Sequence, residues 1–147
     1  VFYLNDDIYN KNLEQLFHIV SKMHFKTVVQ ELEKIGLYKG QPPVLFMLYK
    51  NDGITQNEIA EKMHISKATL TKMLQRMEKN DFITRKKDEK DKRITRVYIT
   101  EKSIKLKPLI DEKLKNINDT SFNNFSNEEK ELMKSLLLKV YFNLKNI

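Results

Sequence analysis

The chain has 147 residues and a mass of 17.6 kDa, the size of one compact domain with a few helices to spare for a partner. Hydrophobic residues make up 40% and charged residues 32%, mean hydropathy is -0.58, and no stretch approaches the ~18 consecutive apolar residues of a membrane span. A formal net charge of +7 points to a polyanionic partner, while the absence of cysteine excludes disulfides, thiolate nucleophiles, Cys-ligated zinc and iron–sulfur clusters.

Only three Gly and three Pro punctuate the chain, so a mainly helical fold is expected. The opening VFYLNDDIYN carries acids where a secretory signal carries lysine, which predicts a cytoplasmic protein. Residues 6–35 read as one long helix, with Tyr9, Leu13, Leu16, Val20 and Met23 spaced three or four apart and Gly36 ending the run. A rod of that length, ~45 Å, is more than a small domain covers, so part of it is expected to pack on a second subunit. A second helix follows Gly40, with Pro42 and Pro43 in its first turn. Its run Val44, Leu45, Phe46, Met47, Leu48, Tyr49 predicts burial all round, and Gly53 closes it.

Thr55-Gln56-Asn57-Glu58 fits a capping box opening a short helix with Ile59, Ala60 and Met63 inside. His64-Ile65 makes a tight connection, and Ser66 is a strong cap for the next helix. There Leu70, Met73, Leu74 and Met77 share one face, which leaves Lys67, Ala68, Thr69, Thr71, Lys72, Gln75 and Arg76 outside it. After Asn80-Asp81 the pattern becomes extended. Residues 82–87 and 94–100 form the arms of a hairpin, and DEKDKR between them forms a charged tip. Val97 and Ile99 alternate with Arg96 and Tyr98, which predicts one face on a core and the other in solvent.

From Thr100 a further helix carries Ile104, Leu106, Leu109, Ile110, Leu114 and Ile117, and Pro108 should kink or restart it. Ser126-Asn127-Glu128-Glu129 is a second capping box, opening a final helix with the stripe Leu132, Met133, Leu136, Leu137, Val140, Tyr141 and Leu144. Both terminal regions carry more apolar surface than one small domain uses, as a dimer interface does.

The charge excess is local. Residues 66–100 hold eleven Lys and Arg against five acids, whereas residues 1–40 balance at five and five. A basic run by itself is a solvated face. Behind a capped helix-turn-helix it reads instead as a docking surface, because the major groove of B-DNA admits one helix and a thin ribbon reaches the adjacent minor groove. The predicted fold is therefore mainly α with a small β-hairpin wing, a winged helix-turn-helix over residues 37–100 flanked by dimerisation helices at 5–36 and 101–147, all within one domain of residues 1–147. Ser66 and Thr69 are placed to bond phosphate, and Thr71, Lys72 and Arg76 to meet base edges, Arg76 being the candidate for bidentate contact with guanine. Arg93 is placed to enter the minor groove, and Asp91 to pair with a neighbouring Arg or Lys and fix the tip. Thr55, Gln56, Lys67, Lys90, Lys92 and Arg96 complete the expected DNA-contacting set.

The segment GQPPVLFMLYKNDGITQNEIAEKMHISKATLTKMLQRMEKNDFITRKKDEKDKRITRVYIT resembles the MarR family of bacterial transcription regulators, above all in Asp91-x-Arg93 followed by Ile99-Thr100. The resemblance implies a homodimer holding two winged domains over a palindromic operator on double-stranded DNA, with repression released by a small-molecule effector. Asp81 and Ser103 stand where the family usually has Gly, and His64 stands where a small residue is common. A similar backbone with local strain is therefore expected. Phe17, Met23, Phe25, Tyr38 and Met47 are the candidates for lining an effector pocket, with ordinary core packing as the competing account.

No metal or cofactor is expected. His18, His24 and His64 lack ligand spacing, and the carboxylate pairs fall in a cap and in the hairpin tip. With no nucleophile motif or phosphate-cradling loop, an enzyme is not expected. Two other functions fit the same residues: a nonspecific nucleic-acid-binding or architectural protein, and a winged-helix module that binds an acidic protein partner.

Overall fold

A computed structural model describes residues 8–147. By the density of its internal contacts the chain forms one compact unit up to Lys113 and a second from Leu114 to Ile147. The elements are a short 3-10 turn at Ile8–Asn10, then α1 (Leu13–Glu33), α2 (Gln41–Lys50), α3 (Gln56–Met63), α4 (Lys67–Lys79), β1 (Ile83–Lys87), β2 (Thr95–Ile99), α5 (Glu101–Ser121) and α6 (Asn127–Lys145).

The first helix starts later than its apolar spacing suggests. Asn12 caps it, its side chain accepting the Gln15 N–H at 2.9 Å while the Gln15 side chain accepts the Asn12 N–H at 3.0 Å. That reciprocal box satisfies two of the amide donors a helix leaves open, so Tyr9 stays outside the helix and the rod shortens to ~32 Å. Residue 6, the expected start, lies outside the described residues. At the other end Gly36 takes φ 85°, as expected of a stop.

Burial of α2 is one-sided rather than complete. Val44, Leu45 and Leu48 are buried, but Phe46, Met47 and Tyr49 are half-buried and Pro43 is exposed. The half-buried Tyr49 has one polar atom to satisfy, and its hydroxyl donates to the Ser103 carbonyl at 2.7 Å. Desolvation, aided by the negative charge of Asp111, pushes that hydroxyl's pKa up to about 12.

The two capped helices form as their sequence dictates. Thr55 and Glu58 exchange both bonds of a capping box, and the Ser66 hydroxyl accepts the Thr69 N–H at 3.1 Å. Between them His64 closes α3 in the left-handed region at φ 52°, which lets the Ile65 N–H reach back to the Ala60 carbonyl at 3.2 Å. Asp81 likewise takes φ 59°. Ser103, in contrast, sits fully buried in α5, where its hydroxyl donates to the Phe82 carbonyl at 2.6 Å. The hydroxyl thus supplies a partner that a glycine there would lack.

The strands pair antiparallel with Ile83 opposite Ile99 and Lys87 opposite Thr95. The Gly53–Thr55 segment joins β2 by an isolated bridge that periodicity does not announce. The Gly53 N–H donates to the Val97 carbonyl and the Val97 N–H to the Ile54 carbonyl, both at 3.0 Å, and Thr55 bridges Arg96. This corrects the expected alternation: Val97 is buried, but Arg96 and Tyr98 on the other face are half-buried, because the α2–α3 connection covers them. Tyr98 is tight against Gly53, where a Cβ would lie 2.9 Å from the ring at φ 81°. Gly53→Ala should therefore lower stability by ~1–2 kcal/mol from the left-handed backbone alone, with the ring contact adding to it. Urea unfolding checks this, and an unchanged midpoint would count against the tight contact.

Leu45, Leu48, Ile54, Ile59, Leu70, Leu74, Met77, Ile83 and Val97 make the core of the first unit. α5 runs through Pro108 as one element, so the proline does not restart the helix. In the second unit Ser126 and Glu129 form the expected capping box, and Phe122 and Phe125 stack edge-to-face at 5.7 Å in the preceding turn. α6 exposes its apolar side widely, with Leu132 60% exposed and Leu136, Tyr141 and Leu144 open as well. On α1, Leu13, Phe17, Val20 and Met23 are exposed too. No helix among the described residues is long and apolar enough to cross a membrane.

Candidate nucleic-acid interface

α4 divides cleanly into two sides. Leu70, Leu74 and Met77 are buried, whereas Lys67, Ala68, Thr69, Lys72, Gln75 and Arg76 are exposed. Among the described residues no hydrogen bond or ion pair holds the side-chain cations of Lys67, Lys72 or Arg76. Thr71 behaves differently from its expected role at a base edge. Its hydroxyl donates to the Lys67 carbonyl at 2.8 Å and accepts from Gln56 Nε2 at 3.1 Å, so the pair braces α3 against α4. The Ser66 hydroxyl caps the helix and lies 2.9 Å from the Thr69 hydroxyl, while the Thr55 hydroxyl donates to Glu58 at 2.6 Å. These hydroxyls are first of all local braces at the mouths of the two helices.

Beside α4 lies an open cleft of about 640 Å³, walled on one side by Tyr38 and Lys39 and on the other by Lys72, Met73, Arg76 and Lys79. Four cations and no acid line it. Of the five candidate effector-pocket residues only Tyr38 borders this cleft. Phe17, Met23 and Phe25 are exposed on α1, with Lys39 Nζ 5.9 Å from the Phe25 ring centre, and Met47 is half-buried in α2. The structure does not gather the five into one cavity. No group of three His, Asp or Glu suited to a metal ion occurs among the described residues.

The hairpin tip is built from carboxylates. Asp91 accepts the Arg93 backbone N–H at 3.0 Å and grips its guanidinium, Nη2 to Oδ2 at 2.8 Å and Nε to Oδ1 at 3.0 Å. The expected pairing of Asp91 with a neighbouring Arg is thus present, and the Arg93 side chain still stands 91% exposed. Hydrogen bonding to Arg93 holds the Asp91 carboxyl below the usual carboxylate range. Lys90 and Lys92 are exposed beside it.

Sequence reasoning placed Asp88 in the hairpin tip but gave it no role there. Its Oδ1 accepts the N–H groups of Lys90 and Asp91, both at 2.9 Å, and its Oδ2 takes Arg96 Nε at 2.5 Å. With Arg96 as the largest cause, the Asp88 carboxyl is lowered to about 2, so it stays charged well below neutral pH. Arg96 in turn donates from Nη1 to the Gly53 carbonyl at 2.9 Å, and so it faces inward, unlike Arg93. Glu78 was missed. It binds Arg85 through Nη2 at 2.7 Å and Nε at 3.1 Å, which ties the wing to α4 and keeps the Glu78 carboxyl low. An Asp two or three residues before backbone donors in a polar tip is a readable turn signal. The partners Arg96 and Arg85 are not readable in that way.

Residues 37–95 match the model of the MarR family. The chain is 31% identical over 114 residues to the HTH-type transcriptional regulator YybA of Bacillus subtilis, a match spanning 78% of this chain and 76% of that protein. It is 27% identical over 129 residues to the HTH-type transcriptional regulator SarZ of Staphylococcus aureus, covering 88% and 84% of the two chains. Among solved structures, a mutant of S. aureus MepR superposes with a TM-score of 0.80 at 29% identity, covering 91% of this chain and 99% of that one.

Proposed function

Because the chain belongs to the MarR family of HTH-type transcriptional regulators, we propose that it binds a palindromic operator as a homodimer and represses transcription from it. The observation that carries the proposal is the polarity of α4: apolar side chains buried on one side, and on the other Lys67, Lys72 and Arg76 exposed with no internal partner among the described residues. Cations left unpaired beside short polar side chains suit a helix laid in the major groove, where Arg offers two parallel donors to guanine. Arg93 at the tip of the wing enters the neighbouring minor groove, and Lys90 and Lys92 meet the backbone. A second copy of the chain covers the exposed apolar residues of α1 and α6.

Release by a small anionic or phenolic effector belongs to the same proposal. A ligand in the cleft beside Tyr38 would be held by Lys72 and Arg76, so ligand and DNA compete for the same cations. No catalytic step is assigned to the protein.

Selection of bound duplexes from a random DNA pool tests the proposal. A recurring inverted repeat is expected, with dimers in sedimentation. Equal competition by unrelated duplex would leave a nonspecific nucleic-acid-binding protein, and unchanged DNA mobility at low salt would leave a protein-interaction module. Within the selected operator, Arg76→Ala should cost ~1–3 kcal/mol at one base position in each half-site. The check is to compare its affinity for operator and for operator changed at that base. Equal losses on both, and on random DNA, would remove the specificity assigned to Arg76.

A further inference from the structure

Arg96 and Arg93 lie three residues apart in the same basic ribbon, yet the structure uses them in opposite ways. The Arg93 side chain is 91% exposed, while Arg96 is pinned at two points, to Asp88 through Nε and to the Gly53 carbonyl through Nη1. The Asp88 side chain is only 14% exposed, and its second oxygen accepts the backbone N–H groups of Lys90 and Asp91. Asp91 then holds both the backbone and the guanidinium of Arg93. One chain of hydrogen bonds therefore runs from Gly53, two residues before the Thr55 cap of α3, out to the Arg93 guanidinium. Backbone pairing secures the base of the hairpin, through β1, β2 and the Gly53–Ile54 segment, together with the Glu78–Arg85 pair and the Asp52 carboxylate on the Ile99 N–H. Beyond Lys87 two backbone bonds close the tip, from the Asp88 N–H to the Ile94 carbonyl and from the Ile94 N–H to the Asp91 carbonyl, both at 3.0 Å, and the Asp88 and Asp91 side chains add their bonds to these.

We propose that Asp88 and Arg96 are positioning residues. They form a strut that fixes the direction of the wing tip against the helix-turn-helix, so that Arg93 and the reading helix meet adjacent grooves together. The proposal deepens the DNA-binding function above and takes Arg96 out of the set of direct contacts. The bond pattern explains why the arginine is needed: a guanidinium can donate to a carboxylate and a carbonyl at once in fixed directions, which an ammonium cannot do in the same geometry. An acid in a surface that meets DNA is unfavourable in itself, and Asp88 is accounted for by the three donors it collects.

The strut and a direct phosphate contact differ in the sign of one measurement. Asp88→Asn removes a negative charge facing DNA, so a free, phosphate-binding Arg96 predicts tighter binding. The strut predicts weaker binding, roughly tenfold, the loss of about one guanidinium contact. Arg96→Lys keeps the charge and should rescue a phosphate contact, whereas the strut predicts that it binds as weakly as Arg96→Ala. In an Arg93→Ala background Asp88→Asn should cost clearly less than it does alone, because part of its effect passes through Arg93 and only the part carried by Lys90 and Lys92 is left. Amide exchange in the DNA-free protein gives an independent readout: the Lys90 and Asp91 amides should exchange faster in Asp88→Asn and Arg96→Lys, with the α4 amides unchanged. Tighter binding by Asp88→Asn, rescue by Arg96→Lys, or unaltered exchange at Lys90 and Asp91 would each overturn the strut. If the wild-type chain selected no operator, the DNA-binding proposal would fall, and the exchange data would still decide whether Asp88 and Arg96 hold the tip. Should Arg96→Ala fail to fold, Arg96→Lys and Asp88→Asn carry the test.

Discussion

Raising monovalent salt from ~50 to ~200 mM should weaken operator binding by about four orders of magnitude. Each phosphate neutralised by a protein cation releases condensed counterions, and log K falls with log salt by about 0.9 for each such phosphate on a duplex. Lys67, Lys72, Lys90, Lys92 and Arg93 are exposed on the face built from α4 and the wing, and Lys79 lines the adjoining cleft. With ~4 phosphate contacts in each of two subunits the slope is about -7, and a fourfold rise in salt then yields the stated loss. Electrophoretic or fluorescence titrations at several salt concentrations measure it directly. A slope shallower than about -2 would mean that the basic face does not lie along a duplex, and the interface would have to be sought elsewhere.

The second large effect concerns the scaffold that presents these cations. Leu74 is fully buried in the middle of α4, on the side opposite Arg76. Leu74→Ala should cost ~2–5 kcal/mol, from lost transfer energy and from the cavity left behind. That is a large share of the ~5–15 kcal/mol that holds a typical domain together, and Tm should fall by roughly 10 °C. Gln75→Ala, one residue away but exposed, should change stability by less than ~0.5 kcal/mol. Calorimetry or urea unfolding of the two variants makes the comparison. Similar small effects from both would show that α4 is not packed on the core through Leu74.

Local signals proved reliable where a residue's partner lies within four positions. The boxes at Thr55 and Ser126 and the cap at Ser66 form between residues three apart, and the expected helices begin there. His64 and Asp81 took positive φ because short-range sterics tolerate them in that region. Asn12-x-x-Gln15 carries the same kind of signal, and it outweighs the apolar stripe that runs past it, so α1 begins at Leu13. Pro108 was expected to kink or restart its helix. It costs one backbone hydrogen bond, and α5 continues through it.

The division of labour among the cations was not legible in the same way. In the sequence Asp91-x-Arg93 marks Arg93, but nothing near Arg85 or Arg96 distinguishes a bracing arginine from a DNA-contacting one. Their roles come from partners set by the fold: Glu78 for Arg85, and the Gly53 carbonyl, 43 residues away in the chain, for Arg96. The isolated bridge from Thr55 to β2 arises likewise, and beside it Asp52 Oδ1 accepts the Ile99 N–H at 2.7 Å across 47 residues.

By itself the sequence determined the helix caps, the helix-turn-helix, the hairpin and the concentration of positive charge behind it, because each depends on dihedral preferences and side-chain spacing within a few residues. Only the tertiary structure decided which cations stay free for a polyanion and which brace the wing. That choice depends on where distant backbone carbonyls and carboxylates come to rest once the chain has closed on itself, and no periodicity records those positions.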